Sequence, residues 1–339
     1  MHVGFLGCGL IARAHARNLS GVAEIVACFD TDFRRSSAFA EDHGGNAVGS
    51  IDDVIDRSDA VYVCTWTSVH PELVGAAAAA GKAIFCEKPL AVDLSSATTM
   101  AAVVGKAGVV NQVGLVLRHS PAFRWVRHQM NRPAAGPLMS IVFRDDQYLP
   151  IQGLYGSTWR IDSARAGAGT LLEHSIHDLD LLRWMMGPIG AVGARTANHH
   201  GHDGIEDQAV VWLTTRDGSA TATLTSIWHD LLDRPSQRRV EVFCRDAYFA
   251  IEGDWHGPVQ WERNTTDGES GSLSGQELAD AAAGLDGRGA NPDAEFIDAI
   301  RSGQPSYPDF AVALEAHRLC DAAYRSAADG GSPVAIGPE

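Results

Sequence analysis

The sequence predicts an α/β protein of two domains, a doubly wound parallel sheet followed by an α+β domain with a large, mainly antiparallel open sheet. Its 339 residues exceed the ~250 to 300 at which a single core usually stops growing. Apolar runs alternate with helical segments in the first third. From about residue 138, strands of period two, joined by Gly, Asp and Pro turns, replace that alternation.

The first third supplies the parallel sheet. The predicted strands are Val3–Leu6, Glu24–Phe29, Ala60–Cys64 and Ala83–Cys86. The predicted helices run from the Gly7 turn through Leu19, from Phe33 to His43 and from Pro71 to Ala80. The closing elements of this domain lie in Gly105–Leu117. Such alternation implies right-handed crossovers between parallel strands. Ligands of sheets of this kind bind at the carboxyl ends of the strands.

The remaining chain is mainly strand. Predicted strands are Met139–Phe143, Ala209–Leu213, Ala220–Ile227, Val240–Cys244 and Tyr248–Ile251, and predicted helices are Leu171–Met186, one starting at Asn291-Pro292, and Asp309–Ala328. The segment from Asp267 to Asn291 is rich in Gly, Ser, Ala and acidic residues. We interpret it as a mobile excursion that could act as a lid.

Composition excludes several classes of function. Apolar residues make up 45% of the chain and charged residues 20%, as in ordinary globular proteins. The formal net charge of −15 argues against a nucleic-acid partner and against binding to an anionic membrane surface. No apolar stretch approaches the ~18 residues of a membrane span, and the start lacks a signal-peptide pattern, so we expect a cytoplasmic protein. The six cysteines lack metal-like spacing and are expected to be reduced structural thiols.

A glycine-rich turn predicts a dinucleotide site, because it follows a strand and opens a helix. Gly7 permits the tight turn, Gly9 lets the backbone approach a pyrophosphate, and Ala12 allows close packing of helix on strand. The amides at the start of the helix, including those of Leu10 and Ile11, are then available to the phosphates.

The strand that follows this helix ends at Asp30. Its carboxylate can accept hydrogen bonds from the adenosine ribose and repel a 2′-phosphate, which favours NAD as the cofactor. Arg34 and Arg35 follow closely and could pair with a phosphate, so NADP stays open.

Two further clusters suggest proton chemistry. Lys88 lies in Glu87-Lys88-Pro89, directly after a buried strand. Glu173, His174 and His177 are spaced to share one face of a helix. Alcohol oxidation needs a base with a pKa near working pH, which a histidine provides. His177 could take the hydroxyl proton while Lys88 polarises the same oxygen, or the two roles could be exchanged.

Glu173 has two interpretations. Its carboxylate could fix the tautomer of His177. Thr170-Leu171-Leu172-Glu173 also fits a capping box, in which Glu173 bonds the backbone of Thr170.

Together these residues resemble the Gfo/Idh/MocA oxidoreductases, a family that includes glucose-fructose oxidoreductase and inositol 2-dehydrogenase. The resemblance covers nearly the whole chain, in the Gly7 turn, Cys86 to Ala91, Gly114 to Pro121, Gly167 to Gly187 and Glu295 to Gly303. It departs from the family at Glu173, where many relatives have aspartate, and at Thr65-Trp66-Thr67, where Thr-Pro-Asn is usual.

The resemblance implies a Rossmann domain for NAD(P) over residues 1–118 and a domain for substrate binding and oligomerisation over residues 119–339. It also implies a Lys88–Pro89 bond that can be cis, homodimers or homotetramers through the exposed sheet face, and Lys88, His177 and Glu173 as catalytic residues. The implied cofactor-binding residues are Gly7, Gly9, Leu10, Ile11, Ala12, Asp30, Arg34, Thr65, Trp66, His70, Glu87, Lys88, Trp159 and Arg160. The implied substrate-binding residues are Lys88, Arg118, Trp159, His174 and His177.

Aromatic residues beside polar ones indicate the substrate class. Trp159-Arg160, Trp228-His229-Asp230 and Arg118-His119 suit a ring with hydroxyls at its edge, although Trp228 and Trp255 could equally belong to the core. We therefore expect an NAD(P)-dependent dehydrogenase that reversibly oxidises a secondary hydroxyl of a sugar or cyclic polyol, such as an inositol or a pyranose, to a ketone.

Two alternatives remain open. Tightly bound NAD could drive epimerisation, elimination or glycoside cleavage by transient oxidation, or the chain could be a non-catalytic dinucleotide sensor. His199-His200-Gly201-His202-Asp203 looks like a metal site, but it lies in a turn-rich segment and we interpret it as a solvated loop, with no metal expected.

Overall fold

The computed structural model describes residues 1–153, 155–264 and 268–337. The strands are β1 (His2–Leu6), β2 (Glu24–Phe29), β3 (Asn46–Ala47), β4 (Ala60–Val63), β5 (Ala83–Cys86), β6 (Asn111–Val113), β7 (Leu138–Tyr148), β8 (Ile189–Ala197), β9 (Gln208–Thr215), β10 (Thr221–His229), β11 (Gln237–Cys244), β12 (Ala247–Glu252), β13 (Val259–Arg263), β14 (Glu269–Leu273) and β15 (Val334–Ala335). The helices are α1 (Leu10–Asn18), α2 (Phe33–His43), α3 (Ile51–Arg57), α4 (His70–Ala79), α5 (Leu94–Ala107), α6 (Pro121–Met130), α7 (Ser163–Ala166), α8 (Thr170–Glu173), α9 (Ile176–Met186), α10 (Gly275–Ala282), α11 (Pro292–Ser302) and α12 (Phe310–Ala328). Within the described ranges, no helix combines the length and the apolar character needed to cross a membrane.

The chain folds into two compact units. The first comprises Met1–Leu115, Ala164–Gly167 and Asn291–Leu314, and the second comprises the rest. The sequence division at residue 118 assigned the two later segments to the second domain, whereas their contacts place them in the first unit. The reason is apolar packing, since Phe296 of α11 lies in one cluster with the residues of β1, β4 and β5.

The first unit is built on a six-stranded sheet of order β3-β2-β1-β4-β5-β6. All its strand pairs are parallel, which confirms the predicted doubly wound sheet. The strand order reverses between β1 and β4, and this is the point at which such sheets bind ligands.

The amino end of α11 explains why a late segment returns to this unit. Asn291 caps the helix by accepting hydrogen bonds from the amides of Asp293 and Ala294, and Pro292 occupies the first helical position. Asp293 is fully buried in the first turn. The cap thereby fixes an acidic side chain inside the first unit.

The second unit contains a nine-stranded sheet of order β14-β13-β12-β11-β7-β10-β9-β8-β15. Only β7 and β10 pair in parallel, and the other pairs are antiparallel, as the period-two pattern predicts. One face packs on the core, and the other leaves large apolar side chains exposed, namely Met139, Val142, Val210, Trp212 and Phe243. The fold class predicted from the sequence is confirmed.

The predicted helix Leu171–Met186 is interrupted. It consists of α8 and α9, separated by His174 and Ser175. The hydroxyl of Ser175 contacts Ser226 at 2.6 Å and Asp145 at 3.3 Å, and its amide bonds the carbonyl of Thr170. These contacts with buried polar groups break the helical pattern, so the prediction that Glu173, His174 and His177 share one continuous helical face is wrong.

The prediction of a loose excursion after residue 267 is also wrong where the structure describes the chain. Within this segment, Glu269–Leu273 form β14, which pairs with β13, and Gly275–Ala282 form α10. Leu278 and Ala282, four residues apart on α10, are buried in the core of the second unit. Leu273, Ala281 and Leu285 also pack against that core. Asp267, with which the predicted excursion began, lies outside the described residues.

Candidate active site

The glycine turn after β1 forms an open cradle. Gly7 has φ +89°, and a Cβ there would lie 2.5 Å from the carbonyl oxygen of Cys64, so the position requires glycine. Gly9 precedes α1, and apart from its neighbours along the chain no described atom lies within 4 Å of the place a Cβ would take. No described side chain caps α1, and Leu10 and Ile11 are exposed. The first amides of the helix are therefore available to an anion, which fits the pyrophosphate of a dinucleotide.

Asp30 lies beside this turn at the end of β2. One carboxylate oxygen accepts a hydrogen bond from the amide of Cys8 at 2.9 Å, and the other accepts one from the amide of Asp32 at 2.9 Å. The side chains of Arg34 and Arg35 are exposed and lie 3.4 Å and 4.0 Å from the carboxylate of Asp32. The structure thus fixes Asp30 where a ribose-binding acid is expected and leaves both arginines at the surface.

His70 connects two turns at the carboxyl edge of the sheet. Its Nδ1 lies 3.0 Å from the carbonyl oxygen of Pro89, and its Nε2 lies 3.3 Å from that of Thr65. Burial lowers the pKa of His70, so the ring is neutral near pH 7 and donates to one of the two carbonyls. These contacts argue for a supporting role rather than direct contact with a cofactor.

Trp66, in the same turn, carries a cation on its ring. The guanidinium of Arg165 lies 4.8 Å from the ring centroid, and Arg165 belongs to the short segment that packs with the first unit. The next glycine, Gly167, has φ +90°, and a Cβ there would lie 2.5 Å from the carbonyl oxygen of Val92. Residues 164–167 therefore pack closely within the first unit.

Lys88 lies in the turn that follows β5 and is half-buried. Its amide donates to Oε2 of Glu87 at 3.3 Å, and Oε1 of Glu87 lies 3.0 Å from Nε2 of His15. The Lys88–Pro89 peptide is cis, in agreement with the family resemblance. Glu87 is buried, and both its oxygens are engaged inside the protein, so its carboxylate supports this turn.

The start of α8 is capped by a residue that the sequence did not indicate. Glu206 accepts hydrogen bonds from the amides of Gly169 at 2.8 Å and Leu171 at 2.9 Å through its carboxylate, and from the amide of Thr170 at 2.9 Å through its carbonyl. A Cβ at Gly169 would lie 1.8 Å from this carbonyl oxygen. The capping-box interpretation of Glu173 is therefore wrong, because Glu206 occupies that role.

Glu173 instead pairs with an arginine. The Nε of Arg160 donates to Oε1 of Glu173 at 2.9 Å, and the guanidinium lies 4.6 Å from the ring centroid of Trp159. Glu173 is buried, and His177, at the start of α9, is buried as well. The structure brings the predicted pair Trp159-Arg160 and the predicted acid together within the second unit.

A buried ionic network lies around His174. Arg238 reaches Asp178 at 2.7 Å, Asp145 at 2.9 Å and Asp254 at 2.6 Å, and Nε2 of His174 lies 2.8 Å from Asp145. These contacts engage His174 inside the protein, which argues against its expected role as a substrate ligand.

The carboxyl groups of Asp145 and Asp178 both have raised pKa values. Burial raises the pKa of Asp178 well above its usual range, the neighbouring Asp145 raises it further, and Arg238 opposes this only in part. Burial also raises the pKa of Asp145, against the opposing effect of Arg238. Two buried carboxylates side by side cannot both ionise at low cost, and of the two it is Asp178 whose pKa is raised well above its usual range.

Arg118 is also engaged internally. Its Nε and one terminal nitrogen lie 2.8 Å and 2.7 Å from the two carboxylate oxygens of Asp180 on α9. Both side chains are buried. This two-pronged pair holds α9 and argues against the expected contact of Arg118 with substrate.

The histidine-rich loop and two tryptophans have structural partners. His200 lies 2.6 Å from Asp207 and 3.2 Å from Asp230. Across the described ranges, no set of three or more His, Cys, Asp or Glu side chains is arranged to hold a metal ion. Trp228 is buried and Trp255 packs against the core of the second unit, as the core interpretation of these residues predicts.

Sequence reasoning missed Glu206, Asp145 and Arg238. One signal was available, because Asp145-Asp146 and Glu206-Asp207 are acidic pairs in or next to strands that were otherwise apolar. Such acids are buried only when they are paired or hydrogen-bonded. Their partners lie tens of residues away in sequence, so the acidic pairs predict that a buried polar network exists but not which other residues belong to it.

Family models match most of the chain. Residues 1–115 match the NAD-binding Rossmann fold of an oxidoreductase family, and residues 123–250 match the GFO/IDH/MocA C-terminal domain. The chain is 30% identical to the inositol 2-dehydrogenase of Rhizobium meliloti, over 96% of either chain.

A second curated relative and a solved structure agree with this match. The chain is 35% identical to the 1,5-anhydro-D-fructose reductase of Ensifer adhaerens, over 60% of this chain and 62% of that protein. The matches to this and two further curated relatives span only 62 to 64% of those proteins' lengths. The fold is similar to that of levoglucosan dehydrogenase in complex with NADH and levoglucosan, with a TM-score of 0.89 and 21% identity over 99% of either chain.

Proposed function

Because the chain belongs to the Gfo/Idh/MocA family of oxidoreductases, we propose that it is an NAD-linked dehydrogenase that reversibly oxidises a secondary hydroxyl of a sugar or cyclic polyol to a ketone. One observation carries the proposal: the open start of α1 and the Lys88 turn follow β1 and β5 of one parallel sheet, with only β4 between them. Two strand spacings separate them by about 10 Å. A dinucleotide with its phosphates on α1 can therefore extend toward Lys88.

The proton chemistry is assigned to three residues of this chain. NAD, when bound, accepts the hydride from the carbon that bears the hydroxyl. His177 takes the hydroxyl proton, because an imidazole titrates near neutral pH. Lys88 hydrogen-bonds and polarises the same oxygen, and the exchanged assignment is the alternative. Glu173, fixed by Arg160 at 2.9 Å, orients the imidazole.

The substrate class rests on the names of the relatives and on one aromatic pair. Curated relatives act on inositol and on an anhydrosugar by name. In this chain the guanidinium of Arg160 lies 4.6 Å from the ring centroid of Trp159, so an apolar ring and several N–H donors are neighbours. Such a pair suits a ring with C–H groups on its faces and hydroxyls at its edge.

We assign a homodimer or homotetramer to the exposed face of the second sheet. This face exposes Met139, Val142, Val210, Trp212 and Phe243, and exposed apolar side chains of this kind can form an interface between subunits. Light scattering of wild-type protein and of Trp212→Glu tests this assignment, since a charge in the face should shift the assembly toward monomer.

We place the reaction in the cytoplasm, because all six cysteines are free thiols.

The test is absorbance at the reduced-nicotinamide band, with NAD or NADP and a panel of inositols, aldoses and glycosides. Rising absorbance with one ring class and NAD supports the proposal. A flat trace with every substrate, from protein that binds NAD tightly, contradicts it, and product analysis by mass then separates internal redox chemistry from a sensor.

A further inference from the structure

A buried histidine connects two carboxylates in the first unit. Nε2 of His15 lies 3.0 Å from Oε1 of Glu87, and Nδ1 lies 2.8 Å from Oδ1 of Asp293. The His15 and Glu87 side chains are 4% and 9% exposed, and that of Asp293 is fully buried. The three residues come from α1, the Lys88 turn and α11.

The geometry requires His15 to be charged. A neutral imidazole has one N–H, whereas both ring nitrogens of His15 face a carboxylate oxygen, so both must donate. Burial lowers the pKa of His15, but the hydrogen bonds and charges of Asp293 and Glu87 outweigh it and raise the pKa to about 10. His15 is therefore a buried imidazolium at neutral pH.

Asp293 is a fixed anchor for this cation. Its second oxygen accepts a hydrogen bond from Nδ2 of Asn18 at 2.8 Å. It lies in the first turn of α11, where the helix dipole favours a negative charge. The anchored Asp293 thereby restrains the position of the imidazole ring.

Glu87 is clamped from the other side as well. A Cβ at position 114 would lie 2.3 Å from Oε1 of Glu87, so Gly114 leaves room for this carboxylate and for little else. Oε2 accepts the amide hydrogen of Lys88 at 3.3 Å. The carboxylate thus connects the buried cation to the backbone of the residue proposed to act on the substrate.

We propose that His15 is a positioning residue for the reaction: its imidazolium couples Asp293 to Glu87 and thereby fixes the backbone at Lys88. The inference rests on the proposed function, in which Lys88 acts on the substrate hydroxyl. Without the cation, two buried carboxylates lose their shared partner, and the turn must move to hydrate or separate them. A displacement of about 1 Å at a reacting group can lower a rate by about 100-fold.

The test compares His15→Asn with His2→Asn, the same replacement at a histidine whose side chain is 53% exposed. We expect kcat of His15→Asn to fall about 10- to 100-fold, with the Kd of NAD within about twofold of wild type. We expect no such loss in His2→Asn. Because His15 acts through Glu87, the loss in Glu87→Gln should not add to that in His15→Asn when the two are combined. A merely structural role predicts additive losses and weaker NAD binding.

Two controls keep the inference separable from the proposed function. If Lys88→Met remains active, the proposed function fails and the positioning role falls with it. If Lys88→Met is inactive while folded His15→Asn turns over like His2→Asn, or if the losses add, only the positioning role is overturned. Should His15→Asn not fold, Gly114→Ala tests the same clamp by displacing Glu87: lower kcat with unchanged NAD binding supports the inference, and unchanged kcat overturns it.

Discussion

The Nε of Arg160 donates a hydrogen bond to Oε1 of Glu173 at 2.9 Å. Glu173 is buried, and a buried carboxylate is stable only when it is paired and hydrogen-bonded. Arg160 is such a partner for Glu173.

Removing the charge of Glu173 should lower turnover. We expect Glu173→Gln to reduce kcat by about tenfold, because a neutral amide holds Arg160 less firmly and would weaken the orienting role proposed for Glu173 at His177, at a cost of about 1.5 to 3 kcal/mol for a charged hydrogen bond. The measurement is steady-state kinetics beside Glu277→Gln, the same change at an exposed position. Wild-type kcat in Glu173→Gln would remove Glu173 from the catalytic set.

The unequal pKa shifts of Asp145 and Asp178 predict unequal effects of equal replacements. The larger upward shift at Asp178 favours its neutral form, so Asp178→Asn, which substitutes a neutral amide of similar shape, should change the free energy of unfolding by less than about 1 kcal/mol. Asp145→Asn removes the charge that balances Arg238 and should cost about 3 kcal/mol. Chemical denaturation measures the free energy of unfolding of both variants. A larger loss in Asp178→Asn than in Asp145→Asn would contradict this prediction.

The raised pKa of Asp178 also predicts a dependence of stability on pH. Because the pKa of Asp178 is raised, the folded protein keeps a proton that the unfolded chain releases above its ordinary value of 3.8. Stability attributable to Asp178 therefore falls as pH rises from that value. Asp178→Asn should lack this slope.

His15 predicts a loss of stability in alkali. Its pKa is raised from 6.5 to about 10, so its contribution is complete below pH 6.5 and is lost as pH rises through about 10. Between these values the free energy of unfolding should fall by about 1.4 kcal/mol per pH unit through this group. The facing groups are Glu87, Asp293 and Tyr62, and burial holds the pKa of Tyr62 well above its usual value, outside this window. Denaturation from pH 6.5 to 10 should show the slope in wild type and a shallower one in His15→Asn; equal slopes would contradict a buried imidazolium.

Asp30 should determine the choice of cofactor. Asp30→Asn removes the charge that repels a 2′-phosphate, and the exposed Arg34 and Arg35 are near enough in sequence to receive one. We expect NAD to bind about tenfold more weakly and the ratio of kcat/KM for NADP over NAD to rise by at least about tenfold. The control is Asp52→Asn, at an exposed position. An unchanged ratio would mean that another residue selects the cofactor.

The parts of the site that the sequence predicted depend only on residues close to one another in the chain. The Gly7 turn, Asp30 and Lys88 each lie at the end of a strand, so the order of strand, turn and helix places them without knowledge of distant contacts. The cis Lys88–Pro89 bond came only from the family resemblance. No sequence pattern predicted the clamp on Glu87, because His15 and Asp293 are 72 and 206 positions away from it.

The parts that the sequence missed depend on contacts between distant polar groups. The apolar spacing of residues 171–186 is continuous, but Ser175 bonds Ser226, and this contact interrupts the helix. Likewise, Thr170 to Glu173 has the spacing of a capping box, but Glu206 reaches the same amides from a different part of the chain. Local patterns predict which groups need partners, and the tertiary fold decides which partners they obtain.

The central claim is that this chain oxidises an alcohol with Lys88 at the reacting oxygen. The most direct measurement is the turnover of Lys88→Met beside Lys106→Met, an exposed lysine on α5, with NAD binding measured for each. We predict that Lys88→Met loses turnover while its Kd for NAD stays within about twofold of wild type, and that Lys106→Met keeps both, because Lys88 acts on the substrate and not on the dinucleotide phosphates. Turnover of Lys88→Met equal to that of Lys106→Met would contradict the account.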